Sequence, residues 1–376
     1  MVKGKYYNRQ FWATTFTLTG TIIGAGILGL PYVFSQSGYL MGLFWLLFLG
    51  SVVLYVFLCL GEVALRTRSD HQLPGFAKKY LGQWGEWLMV FAFLFGVYSA
   101  LLAYLVGEGT SLSLLFTGGT QYAVHFAIGF WFLMALILKE GLRGLKKVQL
   151  WGVLGIIVVV LVIVGWYFPD VTYINLGYVD YSNVFLPFGV ILFALMGFTA
   201  IPELEFVIKG HKEKFRRAIV LGVLIPVVSY VLFTLVFVGV LGKDVPQVAT
   251  LGFGKLVILL GFFTMLTSYF GLSFSLKDVF RLDLKLSRDW NFVLASLVPL
   301  FGYLLLMYFN WLDFISILGI GGVVSGGLTG ILILLISKQA KEKGDMKPKY
   351  EMPVNWFIIG LISLIFIFGV VVELGF

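Results

Sequence analysis

Eleven predominantly apolar runs of about twenty residues follow one another along this chain, at roughly 11–34, 39–65, 87–116, 121–138, 148–168, 183–208, 218–241, 255–276, 291–309, 312–337 and 354–374. About twenty such residues cross the hydrocarbon core of a bilayer as one helix, and in lipid the backbone must satisfy its own hydrogen bonds. The chain is therefore expected to be an all-α integral membrane protein with 11 transmembrane helices. The loops left over are too short for a soluble domain, so residues 1–376 form one transmembrane domain. Composition agrees, because 60% of residues are hydrophobic and only 12% charged, whereas a soluble domain needs about a quarter charged to coat its surface. The first run is read as a retained helix, since it holds a glycine-rich break and lacks the small-residue cleavage site of a secretory signal.

The placement of lysine and arginine tests the count independently. Cytoplasmic loops of membrane proteins hold an excess of both. With the N-terminus inside, the N-tail and the loops after runs 2, 4, 6, 8 and 10 contain 25 of the 27, and only Lys243 and Lys255 fall outside. A miscounted helix would scramble this alternation. The expected topology has a cytoplasmic N-terminus and an extracellular C-terminus in the plasma membrane. The net charge of +8 thus reports topology, and no nucleic acid partner is expected. Cys59 is alone inside an apolar run, and His71, His125 and His211 are dispersed, so neither a disulfide framework nor a metal cluster is expected.

Two glycine clusters fall where a crossing helix should be most regular. The first is Gly20-Thr21-Ile22-Ile23-Gly24-Ala25-Gly26-Ile27-Leu28-Gly29-Leu30-Pro31, and the second is Ala194-Leu195-Met196-Gly197-Phe198-Thr199-Ala200-Ile201-Pro202. In each, a glycine precedes a proline by five residues, Gly26 to Pro31 and Gly197 to Pro202. Glycine permits non-helical dihedrals and proline removes a backbone donor, so runs 1 and 6 are expected to be broken helices. They occupy the same place in two halves of five, 11–168 and 183–337, with 354–374 as an additional helix. Five is odd, so the second half crosses in the opposite sense, the pattern of inverted-repeat transporters. Freed N–H groups at a half-helix start suit a carboxylate, and freed carbonyls at a half-helix end suit a cation, so an amino acid and a coupling ion would fill such a site. The plainer alternative is that the glycines only permit close helix packing and the prolines only kink.

The stretch Gly20 to Pro31 resembles the first-helix signature of the amino acid, polyamine and organocation superfamily of transporters. Thr267-Ser268-Tyr269-Phe270-Gly271-Leu272, followed by Leu276-Lys277-Asp278, is similar to the eighth helix of its bacterial members. The resemblance covers essentially the whole chain and is nearest to the amino acid/auxin permease and hydroxy/aromatic amino acid permease branches. It implies a LeuT-like 5+5 inverted repeat and a substrate site at both breaks, formed by Thr21, Gly24, Ala25, Gly26 and Ile27 with Phe193, Ala194, Met196, Gly197, Phe198 and Thr199. The first set would receive the substrate carboxylate, the carbonyls of the second its amino group, and Phe193 or Phe198 would serve as an aromatic lid. It further implies a Na+ site from the carbonyls of Gly20 and Ile23 and the hydroxyls of Thr267 and Ser268; simple back-bonding of those hydroxyls to their own helix is the alternative. The lysine that replaces sodium on the fifth helix of some relatives has no counterpart here, since Leu150 to Trp166 contains no ionisable residue.

Carboxylates inside lipid are costly and mark function by default. Glu203, directly after Pro202, is the proton-coupling candidate, expected beside the break. Glu205 is expected to pair with Lys209 one turn on, and Glu62 with Arg66 as a structural pair or inner latch. Counting from Trp87 places Glu108 near the outer surface as a solvated helix end, with an outer gate as the alternative. His125 and the tryptophans Trp12, Trp166 and Trp311 read as interfacial. The chain lacks the phosphate-binding loop, nucleophile elbow and zinc-binding helix patterns, so no enzyme activity or ATP-driven pumping is expected. What remains is a secondary transporter of neutral amino acids in the lipid bilayer, coupled to a Na+ or H+ gradient, with an exchanger or amino acid sensor as alternative and a channel as a further one.

Overall fold

A computed structural model describes residues 2–68, 71–140, 145–208 and 211–375. Helices cover each of the eleven apolar runs, and no strand occurs among the described residues. The first run consists of α1 (Val2–Ile22) and α2 (Gly26–Ser37), bent by 57° at the intervening break. Helix α3 (Tyr39–Arg66), the short α4 (Leu73–Leu81), α5 (Gln83–Thr117), α6 (Ala123–Glu140) and α7 (Leu145–Tyr167) follow. After one turn, α8 (Tyr173–Leu176), the sixth run is again in two pieces, α9 (Pro187–Ala194) and α10 (Ala200–Val207). Helices α11 (Phe215–Leu241) and α12 (Gly254–Asp278) come next. Then α13 (Arg288–Phe292) passes through a π turn into α14 (Val298–Phe309), and α15 (Phe314–Gly321) passes through the π turn Gly322–Gly326 into α16 (Gly327–Lys343). Helix α17 (Trp356–Leu374) closes the chain.

Among the described residues, six helices are long and apolar enough to cross a membrane: Tyr39–Arg66, Gln83–Thr117, Lys212–Asp244, Arg288–Phe309, Phe314–Lys343 and Trp356–Leu374. The bent pair of the first run makes a seventh, and Ala123–Lys139 and Gly155–Asp170 are shorter apolar helices. The chain is thus a multi-pass membrane protein, and its outer surface is suited to lipid, with Trp84, Phe91, Phe301, Phe357 and Leu364 exposed. Trp12, Trp166 and Trp311 are exposed as well. The chain reverses from α2 to α3 at Gly38, where φ is +96° and a Cβ would stand 2.4 Å from the Tyr178 carbonyl oxygen, so only glycine fits. Asp313 and Asn355 cap α15 and α17, each accepting a 2.8 Å bond from a first-turn amide, Ser316 N–H and Ile358 N–H.

The four half-helices pack crosswise. Before its break, α1 lies on α10; after it, α2 lies on α9; and α11 flanks both α1 and α2. Helix α5 crosses beside them, against α6, α12 and α15.

One end of the bundle, at the close of α3, α10 and α16, is laced by charges. The Glu62 carboxylate accepts from Arg66 Nε at 2.7 Å and from the Met352 amide at 2.6 Å, and lies 3.4 Å from Lys341 Nζ. Arg66 also reaches Glu351 at 2.9 Å. The expected pairing of Glu62 with Arg66 is therefore present, inside a larger network that ties down the segment after α16. Asp345 of that segment bonds the Arg68 amide at 3.0 Å and Lys79, and the amides of Asp345 and Met346 both donate to the Arg66 carbonyl.

Glu108 departs from its expected place. Rather than ending a helix in solvent, its side chain is 0% exposed. Helix α5 has 35 residues and is about 52 Å long, well beyond a hydrocarbon core of about 30 Å, so counting from its first turns does not locate the surface. Nine further residues, about 14 Å of helix, follow Glu108 before α5 ends.

Candidate functional site

At the first break, Ile23, Gly24 and Ala25 leave the helical ladder, and at the second, Leu195 to Thr199 do so. Glycine supplies the closeness here. A Cβ on Gly26 would stand 2.4 Å from Ala194 Cα, and one on Gly197 would stand 2.6 Å from Ile22 Cγ1, so each break's glycine admits the other's backbone or side chain. The two breaks thus meet at one junction, brought together by the crosswise packing of the half-helices.

Two tyrosine hydroxyls, from helices outside the breaks, satisfy the freed backbone groups. The Ala25 amide donates to the Tyr104 hydroxyl of α5 at 3.2 Å. The Tyr230 hydroxyl of α11 lies 3.0 Å from the Ile22 carbonyl and 2.8 Å from the Ala194 carbonyl, and its single proton is shared between them. The junction therefore presents a donor toward Tyr104 and two acceptors toward Tyr230. Neither tyrosine was singled out from the sequence. The only local signal is a phenol inside an apolar run, which when buried must find a partner.

The other expected residues fall around this junction in different ways. Ile23, Ala25, Ile27, Phe193, Ala194 and Phe198 are buried, and Met196 and Thr199 half-buried. Phe198 packs on Phe57 with ring centroids 4.7 Å apart, and Phe193 lies against Gly321 and Gly322, where the π turn begins. A π turn of this kind widens a helix locally and recurs at functional sites. Met196 stands near Gly96 and Gly326. Thr21 returns its hydroxyl to the Thr17 carbonyl on its own helix at 2.9 Å. Thr267 does likewise, to Phe263 at 3.1 Å and Thr264 at 2.9 Å. Gly20 is half-buried on α1, and the Ile23 amide still donates to Thr19 at 2.9 Å.

Glu203 is exposed on α10, whereas Glu205, two residues on, is buried and pairs with Lys212. Lys209, expected as that partner, lies outside the described residues. Below the second break, at the basic end, Thr67, Arg68, His71, Pro202, Glu205 and Lys212 line a cavity of about 190 Å³.

The whole sequence from residue 7 to 374 matches the tryptophan/tyrosine permease family. The chain belongs to that family. It is 23% identical over 339 residues to Glutamine transporter 2 of Aliivibrio fischeri, covering 84% of this chain and 86% of that one. It is 26% identical over 243 residues to Tyrosine-specific transport system 2 of Haemophilus influenzae, covering 63% and 60%. Amino acid transporter AVT3A of Arabidopsis thaliana is 24% identical over 381 residues, with 94% of this chain and 85% of that one covered. The family consists of permeases, and an amino acid is the class of small molecule its members carry. That agrees with the resemblance read from the first-helix glycines.

Proposed function

We propose that this permease is a symporter of neutral amino acids that works by alternating access, with its substrate bound at the junction of the two breaks. The observation that carries the reading is the polarity of that junction. The Ala25 N–H is satisfied by a hydroxyl oxygen and the Ile22 and Ala194 carbonyls by a hydroxyl proton. An amino acid carries the same two functions on one carbon. Its carboxylate would replace the Tyr104 oxygen on the amide, with Gly24 and Gly26 leaving the approach free, and its ammonium would replace the Tyr230 proton between the carbonyls. Ile22, Leu195, Met196 and Phe198 line the surroundings, which favours an uncharged side chain and disfavours a charged one that would have to be desolvated there.

In this reading the chain crosses the plasma membrane eleven times as a five-plus-five inverted repeat with an additional last helix, basic end in the cytoplasm. The crosswise packing of α1 on α10 and α2 on α9 supports it, because an inverted repeat places equivalent half-helices antiparallel. The cavity beside Pro202 then lies on the cytoplasmic path of the substrate. For the coupling ion, oxygens of Gly20, Ile23, Thr267 and Ser268 would suit Na+, with Thr267 turning its hydroxyl from its own helix, whereas a proton would need a carboxyl inside the bundle, and Glu203, the candidate from the sequence, is exposed on α10.

The test is uptake of labelled tyrosine, glutamine and other neutral amino acids into proteoliposomes, under an imposed sodium gradient or an imposed pH gradient in separate runs. Accumulation under either supports symport and names the ion. Gly26→Val, whose side chain must enter the Ala194 backbone, is expected to abolish uptake while the helical circular dichroism persists. Uptake that survives this change would remove the junction from the mechanism.

A further inference from the structure

Among the described residues, Glu108 is the one buried carboxylate that nothing in the junction or the basic network uses. Neither of its oxygens has a hydrogen-bond partner among the described residues. On either side of it α5 packs closely: the Gly107 face lies against Met265 and Phe314, and the Gly109 face against the Ala123 carbonyl and Ala127. One turn on, Ser111 and Thr250 bond each other at 2.7 Å, and neither hydroxyl bonds the carboxylate.

Neither carboxyl oxygen is hydrogen-bonded to a titratable group on the elements packed here. On α5 itself, Tyr104 is held by Ala25. Helix α12 carries Tyr269, whose hydroxyl is also unpartnered, with Lys255 at its start and Lys277 at its end, the latter bonded to the Leu138 carbonyl at 3.1 Å. Helix α6 starts with the exposed His125 and ends near Lys139; α14 carries Tyr303 and Tyr308; and Asp313, capping α15, accepts from Ser316 and Gln247. None of these makes a hydrogen bond or ion pair with Glu108.

A lone carboxylate in such surroundings neutralises rather than stay charged. We propose that Glu108 holds a proton in this conformation and is the site through which substrate and proton are coupled. This deepens the symport reading and rests on it. Four residues, about 6 Å along the helix, separate Glu108 from Tyr104, whose hydroxyl marks where the substrate carboxylate would sit. An ionised Glu108 would repel that incoming carboxylate across a dry gap, and a protonated one does not. Substrate therefore binds once a proton from the outer water has joined the Glu108 carboxylate. When the junction opens toward the basic end, the proton leaves to the cytoplasmic water and the amino acid leaves with it, so one positive charge crosses per zwitterion.

The experiment uses the full chain in lipid vesicles and has two readouts. Infrared difference spectra of wild type against Glu108→Gln are expected to show, near neutral pH, the carbonyl band of a protonated carboxyl that the variant lacks. A difference containing only ionised carboxylate bands overturns the proposal, whatever the transport assays give. With labelled tyrosine or glutamine as probe, one pH unit is expected to drive about tenfold accumulation by wild type for one coupled proton. Glu108→Gln is expected to fall to simple equilibration, with its exchange of internal for external substrate persisting but no longer responding to pH. Wild-type accumulation by the variant overturns the proposal. So does total loss of exchange with unchanged thermal unfolding, which would make Glu108 a substrate contact. A wild type that shows the band yet neither binds nor moves an amino acid supports the proton site and overturns the transporter reading instead.

Discussion

Glu62 and Glu108 are the same residue type, at 1% and 0% exposure, in the same bundle, and their surroundings could hardly differ more. Glu62, at the basic end of α3, collects Arg66, Lys341 and the Met352 amide, so its charge is neutralised by fixed partners. Glu108, within α5, has no hydrogen-bond partner for either oxygen among the described residues. Burial alone thus does not assign a role to a carboxylate; what sits opposite does. A fully partnered one fastens elements together, because its charge never has to change. An unpartnered one can be stable only with a proton, and a proton is something that can be passed on.

This contrast can be broken most forcefully at the partnered end. Glu62→Ala leaves Lys341 and the Met352 amide without their acceptor and takes one of two from Arg66, and breaking a buried network in this way is expected to destabilise by about 3–5 kcal/mol. Thermal unfolding in lipid or detergent reads it directly; a melting temperature equal to wild type would mean the network is not what holds the end together. The isosteric change at Glu108 is expected to leave the same melting temperature unaltered or raised.

A middle-sized effect is expected at the junction. Tyr230→Phe removes the donor shared by two buried carbonyls, which is expected to cost about 1–3 kcal/mol. If an ammonium group takes that position, added substrate should raise the variant's melting temperature more than the wild type's. An equal rise in both would show that the amino group binds elsewhere.

The smallest effect concerns Asp345. The Arg68 amide, with Lys79 beside it, holds this carboxyl below the usual carboxylate range. A lowered carboxyl contributes stability above its ordinary range, and that contribution is lost as pH falls through the lowered value. Acidification is therefore expected to release the segment after α16 before the helices change. The protection factors of the Asp345 and Met346 amides, which donate to Arg66, should fall, and Asp345→Asn should show that loss already at neutral pH. Protection that is indifferent to pH would assign the anchoring of this segment to Glu351 on Arg66 and the Met352 amide on Glu62.

Much of this architecture was legible in the residues. The breaks at Gly24 to Gly26 and at Gly197 follow from which amino acids permit a helix to stop, a property each residue carries by itself. The pairing of Glu62 with Arg66 was legible too, being separated by one helical turn. Glu205 shows the limit: a partner was expected four residues away at Lys209, and the structure pairs it with Lys212, across the end of α10. Glu108 was recognised as a carboxylate in an apolar run but assigned to the surface, because helix overhang cannot be read from a span count.

The sequence by itself determined that this chain lives in lipid, roughly where its apolar runs lie, and that two of them are interrupted by glycine. Those are consequences of local hydrophobicity and backbone freedom. Only the tertiary structure decided which side chains complete the interruptions, since Tyr104 reaches Ala25 across 79 residues and Tyr230 reaches Ile22 across 208. It also decided that one buried glutamate is caged by cations and the other left alone. Whether a polar group is satisfied depends on pairs of residues that meet only after the bundle has closed, and the sequence around either member carries no record of the other.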